Sequence, residues 1–311
     1  MELRHLRYFV TVAEELSFTR AAKRLGMEQP PLSQQIRQLE EEVGTRLFQR
    51  LPRGVSLTDA GGYFLHDALE ILQRVRQATE QAQRVARGDR GRLRIGMINS
   101  APFHPFVPRV IREFGQLYPE VALGLEEDIT PALAQSLRDG VVDVAFMRPL
   151  LGDAGGLSIE TLFDEEMVVA LPEGHALTRQ RSLPLAALAN ESFVLFPRPV
   201  GSGLYDEILA ACRRAGFGPQ IGHEVRQVTS IANLVAADLG VSLVPASMQQ
   251  VLSTGVVYRP LEGDAPRARM SLACRAGDSS ATVRNMLALA HAVRRAMGLH
   301  QAPPRRGRRP G

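Results

Sequence analysis

Three groups of residues in this 311-residue chain carry types and spacings that can do chemistry. In the run Gln29-Pro30-Pro-Leu-Ser33-Gln34-Gln-Ile-Arg37, a helical period sends Leu32, Ile36 and Leu39 to one side. It sends Gln29, Ser33, Gln34 and Arg37 to the other. Amide, hydroxyl and guanidinium groups on one exposed face can hydrogen-bond base edges and phosphates in a major groove. Pro30 sits in the first turn, where its missing N–H costs no intrahelical bond. Arg53 tips a Pro52-Arg53-Gly54 turn, placed to enter a minor groove or grip phosphate, and Arg50 is placed for phosphate. The third group is Asn99 and Ser100, Thr130, and Ser202 with Gly203. Each lies between a strand-like run and a helical one, or at a helix start. Free N–H groups at helix starts, with hydroxyls beside them, make a carboxylate-binding site. The alternative for each Ser or Thr is plain helix capping, which is compatible with binding.

The elements that must position the first group follow from periodicity and caps. Leu6, Phe9, Val10 and Ala13 form one face of a helix over about 3–15. Ser17 is an N-cap for a short helix over about 19–25, and Gly26 stops it. The third helix starts at the two prolines, which gives a helix-turn-helix. Residues 47–51 and 55–57 are strand-like runs around the Pro-x-Gly turn and read as a wing. Thr58 caps a long helix to about Arg87. Phe64, Ala68, Ile71, Val75, Ala78, Ala82 and Val85 recur at alternating spacings of four and three. That is a heptad seam, and a seam of this length wants a partner helix. It predicts a dimer through this helix, with two reading heads on two DNA half-sites.

Beyond a hinge at Asp89-Arg-Gly91, strand and helix signals alternate, which predicts a largely parallel sheet with crossover helices. The chain builds one α/β unit, leaves it for a second, and returns near Ala268. Two lobes with two crossing strands result, and ligands in such folds sit in the cleft between them. The expected organisation is a winged helix-turn-helix over 1–58, a linker helix over 59–88 and an effector domain over 89–301. Its lobe I covers about 92–163 and 267–301, and lobe II about 164–266. The basic tail, 302–311, should be disordered. Arg148 ends the third strand of the first lobe, as a counter-charge for a dicarboxylate; the alternatives are that it pairs with a structural acid or lies in solvent.

Composition narrows the class. Apolar residues make up 45% of the chain, no apolar run approaches the ~20 residues of a membrane span, and the N-terminus lacks a signal-peptide core. A cytoplasmic protein without a membrane partner is expected. The net charge of +4 matches the four arginines among the last ten residues. Residues 1–60 carry nine Lys or Arg against eight Asp or Glu, so DNA binding is argued from position rather than from charge. No nucleophile elbow, HExxH, phosphate loop or metal-spaced His/Cys cluster is present, which argues against an enzyme and against a bound cofactor or metal. Of the two cysteines, Cys212 shares a helical face with Leu204 and Ile208 and reads as an inert core thiol.

The motifs Leu3-Arg-His-Leu-Arg-Tyr-Phe9, Ser17-Phe-Thr-Arg-Ala-Ala22, Gln29-Pro-Pro-Leu-Ser33, Gln38-Leu-Glu40, Gly44-Thr-Arg-Leu-Phe48, Arg50 and Leu57-Thr58 resemble those of LysR-type transcriptional regulators. The remainder has that family's effector-domain layout. Glu2 to Val10, Gln29 to Ser33 and Ser242-Leu-Val-Pro-Ala-Ser247 resemble the muconate- and benzoate-responsive branch of aromatic-compound catabolism. The resemblance implies a periplasmic-binding-protein-like sensor and a small organic-acid effector. It implies double-stranded DNA, a tetramer of the chain itself and RNA polymerase as partners, and activation rather than pure repression. In that branch, a serine after the first strand, a threonine after the second and backbone at a second-lobe helix start hold the effector. Ser100, Thr130 and the Ser202-Gly203-Leu204 turn stand at those places, and Asn99, Phe103 and His104 are further candidates. Thr229 resembles the start of the second-lobe ligand helix.

Overall fold

The computed structural model describes residues 1–52, 54–150, 154–250 and 254–300. Arg53 and the tail 302–311 therefore lie outside the described residues. The chain divides into two units, Met1–Val85 and a second that begins at Ala86.

The first unit is α1 (Leu3–Glu15), α2 (Phe18–Leu25), α3 (Gln29–Val43), the hairpin β1 (Phe48–Leu51) and β2 (Gly54–Leu57), and α4 (Asp59–Arg87), which runs just past its boundary. Ser17 caps α2 by accepting from the Arg20 N–H, and Gly26 ends it in the left-handed region at φ 68°. Leu6, Phe9, Ala21, Leu32, Ile36, Leu39 and Leu47 are buried in one core. The Phe9 ring lies 5.1 Å from both Phe48 and Phe64, so wing and α4 close over the same aromatic. This divides the heptad seam. Phe64 and Ala68 pack into their own domain, whereas Ile71, Ala78, Ala82 and Val85 stay exposed. The first turns of α4 share their spacing with the rest but are used internally.

The second unit continues with β3 (Arg90–Met97), α5 (Phe106–Leu117), β4 (Glu120–Glu127), α6 (Thr130–Arg138), β5 (Val144–Met147) and β6 (Leu157–Pro172). Then come β7 (Leu183–Pro184), β8 (Ser192–Leu195), α7 (Ser202–Arg214), β9 (Gln220–Glu224), α8 (Val228–Ala236), β10 (Ser242–Pro245), β11 (Val256–Glu262), β12 (Arg267–Arg275) and α9 (Ala281–Ala296). Strand pairs β3–β4, β3–β5 and β8–β9 are parallel, as alternation predicts. The linking pairs are not: β12 is antiparallel to β5 and β6, and β10 and β11 are antiparallel to β6. One 16-residue strand, β6, runs through both lobes. Buried apolar side chains fall into two cores, one holding Leu93 to Phe163 with Met270 to Val293, the other Met167 to Ala268. The β6–β12 ladder joins them, with a register shift between Met270 and Ser271.

Candidate functional site

On α3, Gln29, Pro30, Gln34 and Arg37 are exposed, and Arg50 is exposed on β1. Ser33 is not: it is buried, and its hydroxyl accepts from Gln29 Nε2 at 2.7 Å. The helical wheel sends Ser33 outward, but in the structure it is buried and bonded to the Gln29 side chain one turn earlier. Arg37 Nε donates to the Ser33 carbonyl at 3.3 Å. Arg37, Arg46 and Arg50 line a groove between α3 and β1 that also carries Glu40 and Glu41.

In the second unit, a small cavity opens between the two lobes. Asn99, Ser100, Thr130 and Arg148 line it from the first lobe, and Gly201 and Leu204 from the second. Phe196, Val200 and Arg226 also line it, and sequence reasoning missed them. Ser202 and Gly203 do not reach its lining; their turn contributes through Gly201 and Leu204 instead. A Cβ on Gly203 would lie 2.7 Å from the Pro149 carbonyl oxygen, so this turn abuts the first lobe. Thr229 sits on α8, which lines the cavity through Val228.

Neither first-lobe hydroxyl is used as a cap. Thr130 is the first residue of α6, whose N-cap is Ile129. Its Oγ1 is buried with no hydrogen-bond partner among the described residues. An unmet buried hydroxyl costs roughly 1–3 kcal/mol, and Thr130 is one of the residues that line the cavity. Ser100 precedes a short 3-10 turn, Ala101–Phe103, and makes no cap bond. Its hydroxyl accepts from Arg148 Nη2 at 3.3 Å.

Arg148 is buried, and burial pulls its guanidinium pKa below the usual value against the opposing pull of Glu165. Nη2 lies 3.8 Å from Glu165 Oε2, and Nη1 donates to the Arg269 carbonyl at 3.1 Å. Nε has no partner among the described residues. Arg148 is thus both partner of a structural acid and part of the cavity wall. Glu165 Oε1 in turn accepts from the Ser247 N–H at 2.6 Å. His104 is buried against Phe163, ring centroids 4.4 Å apart, and Nδ1 accepts from the Phe106 N–H. Burial pushes its pKa down, Glu165 opposes and Arg148 adds to the fall. Phe103 packs against the second core.

Cys212 and Cys274 are buried and free, and burial pushes the Cys212 thiol up to about 11. A thiol held so far from ionisation is a poor nucleophile, which argues against redox sensing there. Among the described residues no His/Cys/Asp/Glu group could hold a metal, and no helix is long and apolar enough to cross a membrane.

Comparison with known proteins adds lineage to this geometry. Residues 3–62 match the model of the bacterial regulatory helix-turn-helix protein, lysR family, and residues 86–295 that of the LysR substrate binding domain. The HTH-type transcriptional regulator BudR of Raoultella terrigena is 40% identical over 92% of this chain and 99% of its own. Full-length CbnR complexed with its target DNA superposes with a TM-score of 0.78 at 27% identity, covering 94% of this chain and all of that one. The BenM effector-binding domain with its effector benzoate superposes at a TM-score of 0.61 and 26% identity, over 68% of this chain and 96% of that one.

Proposed function

The chain belongs to the LysR family of DNA-binding transcriptional regulators, and from that premise we propose that it is an activator switched by a small organic acid bound between the two lobes of its effector domain. It is a regulator and not an enzyme. One observation carries the effector reading. The Thr130 hydroxyl is buried and unmatched in the wall of a cavity that also holds Ser100 and the buried Arg148. A carboxylate would accept from both hydroxyls and from N–H groups at the start of α6, where helix dipoles favour an anion. Asn99, Leu204 and Gly201, through which the turn before α7 reaches the cavity, complete the proposed effector set. Aromatic acids are the favoured class: Phe196, Val200 and Leu204 give the cavity apolar walls, and the related BenM domain has benzoate as its effector.

Gln29, Pro30, Gln34 and Arg37 form the proposed base-reading face, with Arg50 and Arg53 on phosphate or minor groove. Ser33 acts there by holding Gln29. The exposed stretch of the α4 seam supports a dimer; a tetramer built through effector domains, and contact with RNA polymerase, extend the family resemblance. A thermal-unfolding screen of the full chain with benzoate, muconate and aliphatic mono- and dicarboxylates tests the effector class. A ligand at a hundred times its Kd stabilises by ~2.7 kcal/mol. An acid that raises Tm in a saturable manner is expected; a panel of neutral compounds that does so instead would contradict it.

A further inference from the structure

The peptide segment from Arg46 to Phe48 leads into the wing, and it is gripped from two sides. On one side, a single carboxylate oxygen of α3, Glu40 Oε1, accepts from the Leu47 N–H at 2.8 Å and from the Phe48 N–H at 3.0 Å. On the other, Thr58 at the start of α4 donates from Oγ1 to the Arg46 carbonyl at 2.8 Å and from its N–H to the Leu47 carbonyl at 2.9 Å. The same Thr58 hydroxyl accepts from the Gly61 N–H at 3.0 Å, so it also caps α4. Between the two grips the Leu47 side chain is fully buried. A side chain at Gly61 would run into the Leu47 carbonyl, so the approach of α4 to this segment requires glycine there. The far end of the wing is held separately, by the Val55 N–H on the carbonyl of Leu16 at 3.2 Å.

We infer that Glu40 and Thr58 are positioning residues for DNA reading: by gripping Arg46–Phe48 from α3 and from α4, they fix wing strand β1 against the base-reading helix. Neither needs to touch DNA. Hydrogen bonds to an ionised carboxylate are stronger and more directional than neutral ones, and two on one oxygen set both distance and angle. What they set is the placement of Arg50 on β1 relative to Gln34 and Arg37 on α3. A groove reader with a loose wing keeps its attraction for phosphate but loses register, and register is what distinguishes one sequence from another. The inference rests on the reading of α3 as the base-reading helix.

The test uses the full chain and two duplexes: one selected by the wild-type protein from a random-sequence pool, and a scrambled duplex of the same length and composition. Glu40→Ala should lower affinity for the selected duplex by about tenfold and leave affinity for the scrambled one unchanged or higher. Glu40→Gln keeps an acceptor oxygen and should recover most of the loss. Glu41→Ala removes a charge from the same groove. It should move both affinities together. Thr58→Val and Thr58→Ser form a second pair, in which loss and rescue should match those at Glu40. If Glu40→Ala proves unfolded, this pair decides. The inference is overturned if both duplexes lose equally, or if the selected duplex is bound as tightly by Glu40→Ala and Thr58→Val as by wild type. Gln34→Ala tests the underlying reading separately. Unchanged selectivity there, with loss at Glu40, would move the base-reading surface off α3 yet keep Glu40 as a positioning residue.

Discussion

Arg148 donates to the Ser100 hydroxyl at 3.3 Å, and both residues are buried at the wall of the interlobe cavity. A guanidinium in that setting is held by Glu165 from the crossing strand and by the Arg269 carbonyl beside the β6–β12 register shift. The cavity wall and the strands that join the lobes therefore share one charged side chain.

Breaking this buried pair should be costly. Glu165→Gln leaves a buried guanidinium without its counter-charge, and such losses run to ~3–5 kcal/mol. Urea unfolding should show it as a lower midpoint. Replacing both partners, Arg148→Met with Glu165→Met, should recover most of the stability but not the response to an organic acid. Equal stability of Glu165→Gln and wild type would mean that the pair carries no weight.

His104 makes stability depend on pH. Burial, reinforced by Arg148, holds its folded pKa below the unfolded value of ~6.5 even against Glu165. Its contribution is therefore complete above that value and is lost as pH falls from there through the folded pKa, because the unfolded chain takes the proton first. His104→Asn keeps an acceptor near the Phe106 N–H and should flatten the curve between neutral and mildly acidic pH. Chemical denaturation across that window checks it, and parallel curves for the two proteins would contradict it.

Two adjacent glycines in α4 should respond in opposite directions. A Cβ at Gly61 meets the Leu47 carbonyl oxygen, whereas one at Gly62 meets nothing within 4 Å. Gly61→Ala should destabilise by ~1–3 kcal/mol through overpacking. Gly62→Ala should stabilise by about 0.5–1 kcal/mol through helix propensity. Thermal unfolding of the two variants gives the signs directly.

Self-association should depend on the outer part of α4. Val75→Glu would place a charge in the proposed seam and should raise the dissociation constant of the dimer, read by sedimentation equilibrium of the full chain. Phe64→Ala should instead lower domain stability, because Phe64 packs on Phe9 within the same unit. Unchanged association of Val75→Glu would place the dimer contact elsewhere.

Local signals made most of this fold legible in advance. Ser17, Gly26 and Thr58 bound their helices as read. What failed was decided by neighbours that periodicity does not see. Ser33 lies at the edge of a helical face, and its burial and its bond to Gln29 depend on side-chain placement that the helical period does not give. Phe64 and Ile71 share one seam pattern, and only the docking of α4 on its own domain separates them. Thr130 reads as the cap of α6 in the sequence, but the extended backbone of Ile129 makes that residue the N-cap and leaves the Thr130 hydroxyl without a capping bond. Glu165 was invisible because its meeting with Arg148 depends on β12 lying between β5 and β6. Arg226 gave no signal in a single sequence beyond being an arginine near a helix start.

The most direct measurement of the central claim is calorimetric titration of an organic acid that raises Tm into wild type and into Thr130→Val, which keeps the side-chain shape and removes the hydroxyl. One hydrogen bond to a charged group is worth roughly 1.5–3 kcal/mol, so Thr130→Val should bind at least about tenfold more weakly. Its affinity for a DNA duplex selected by the wild-type protein should be unchanged. Identical acid affinity in the two proteins would contradict the placement of the effector in this cleft.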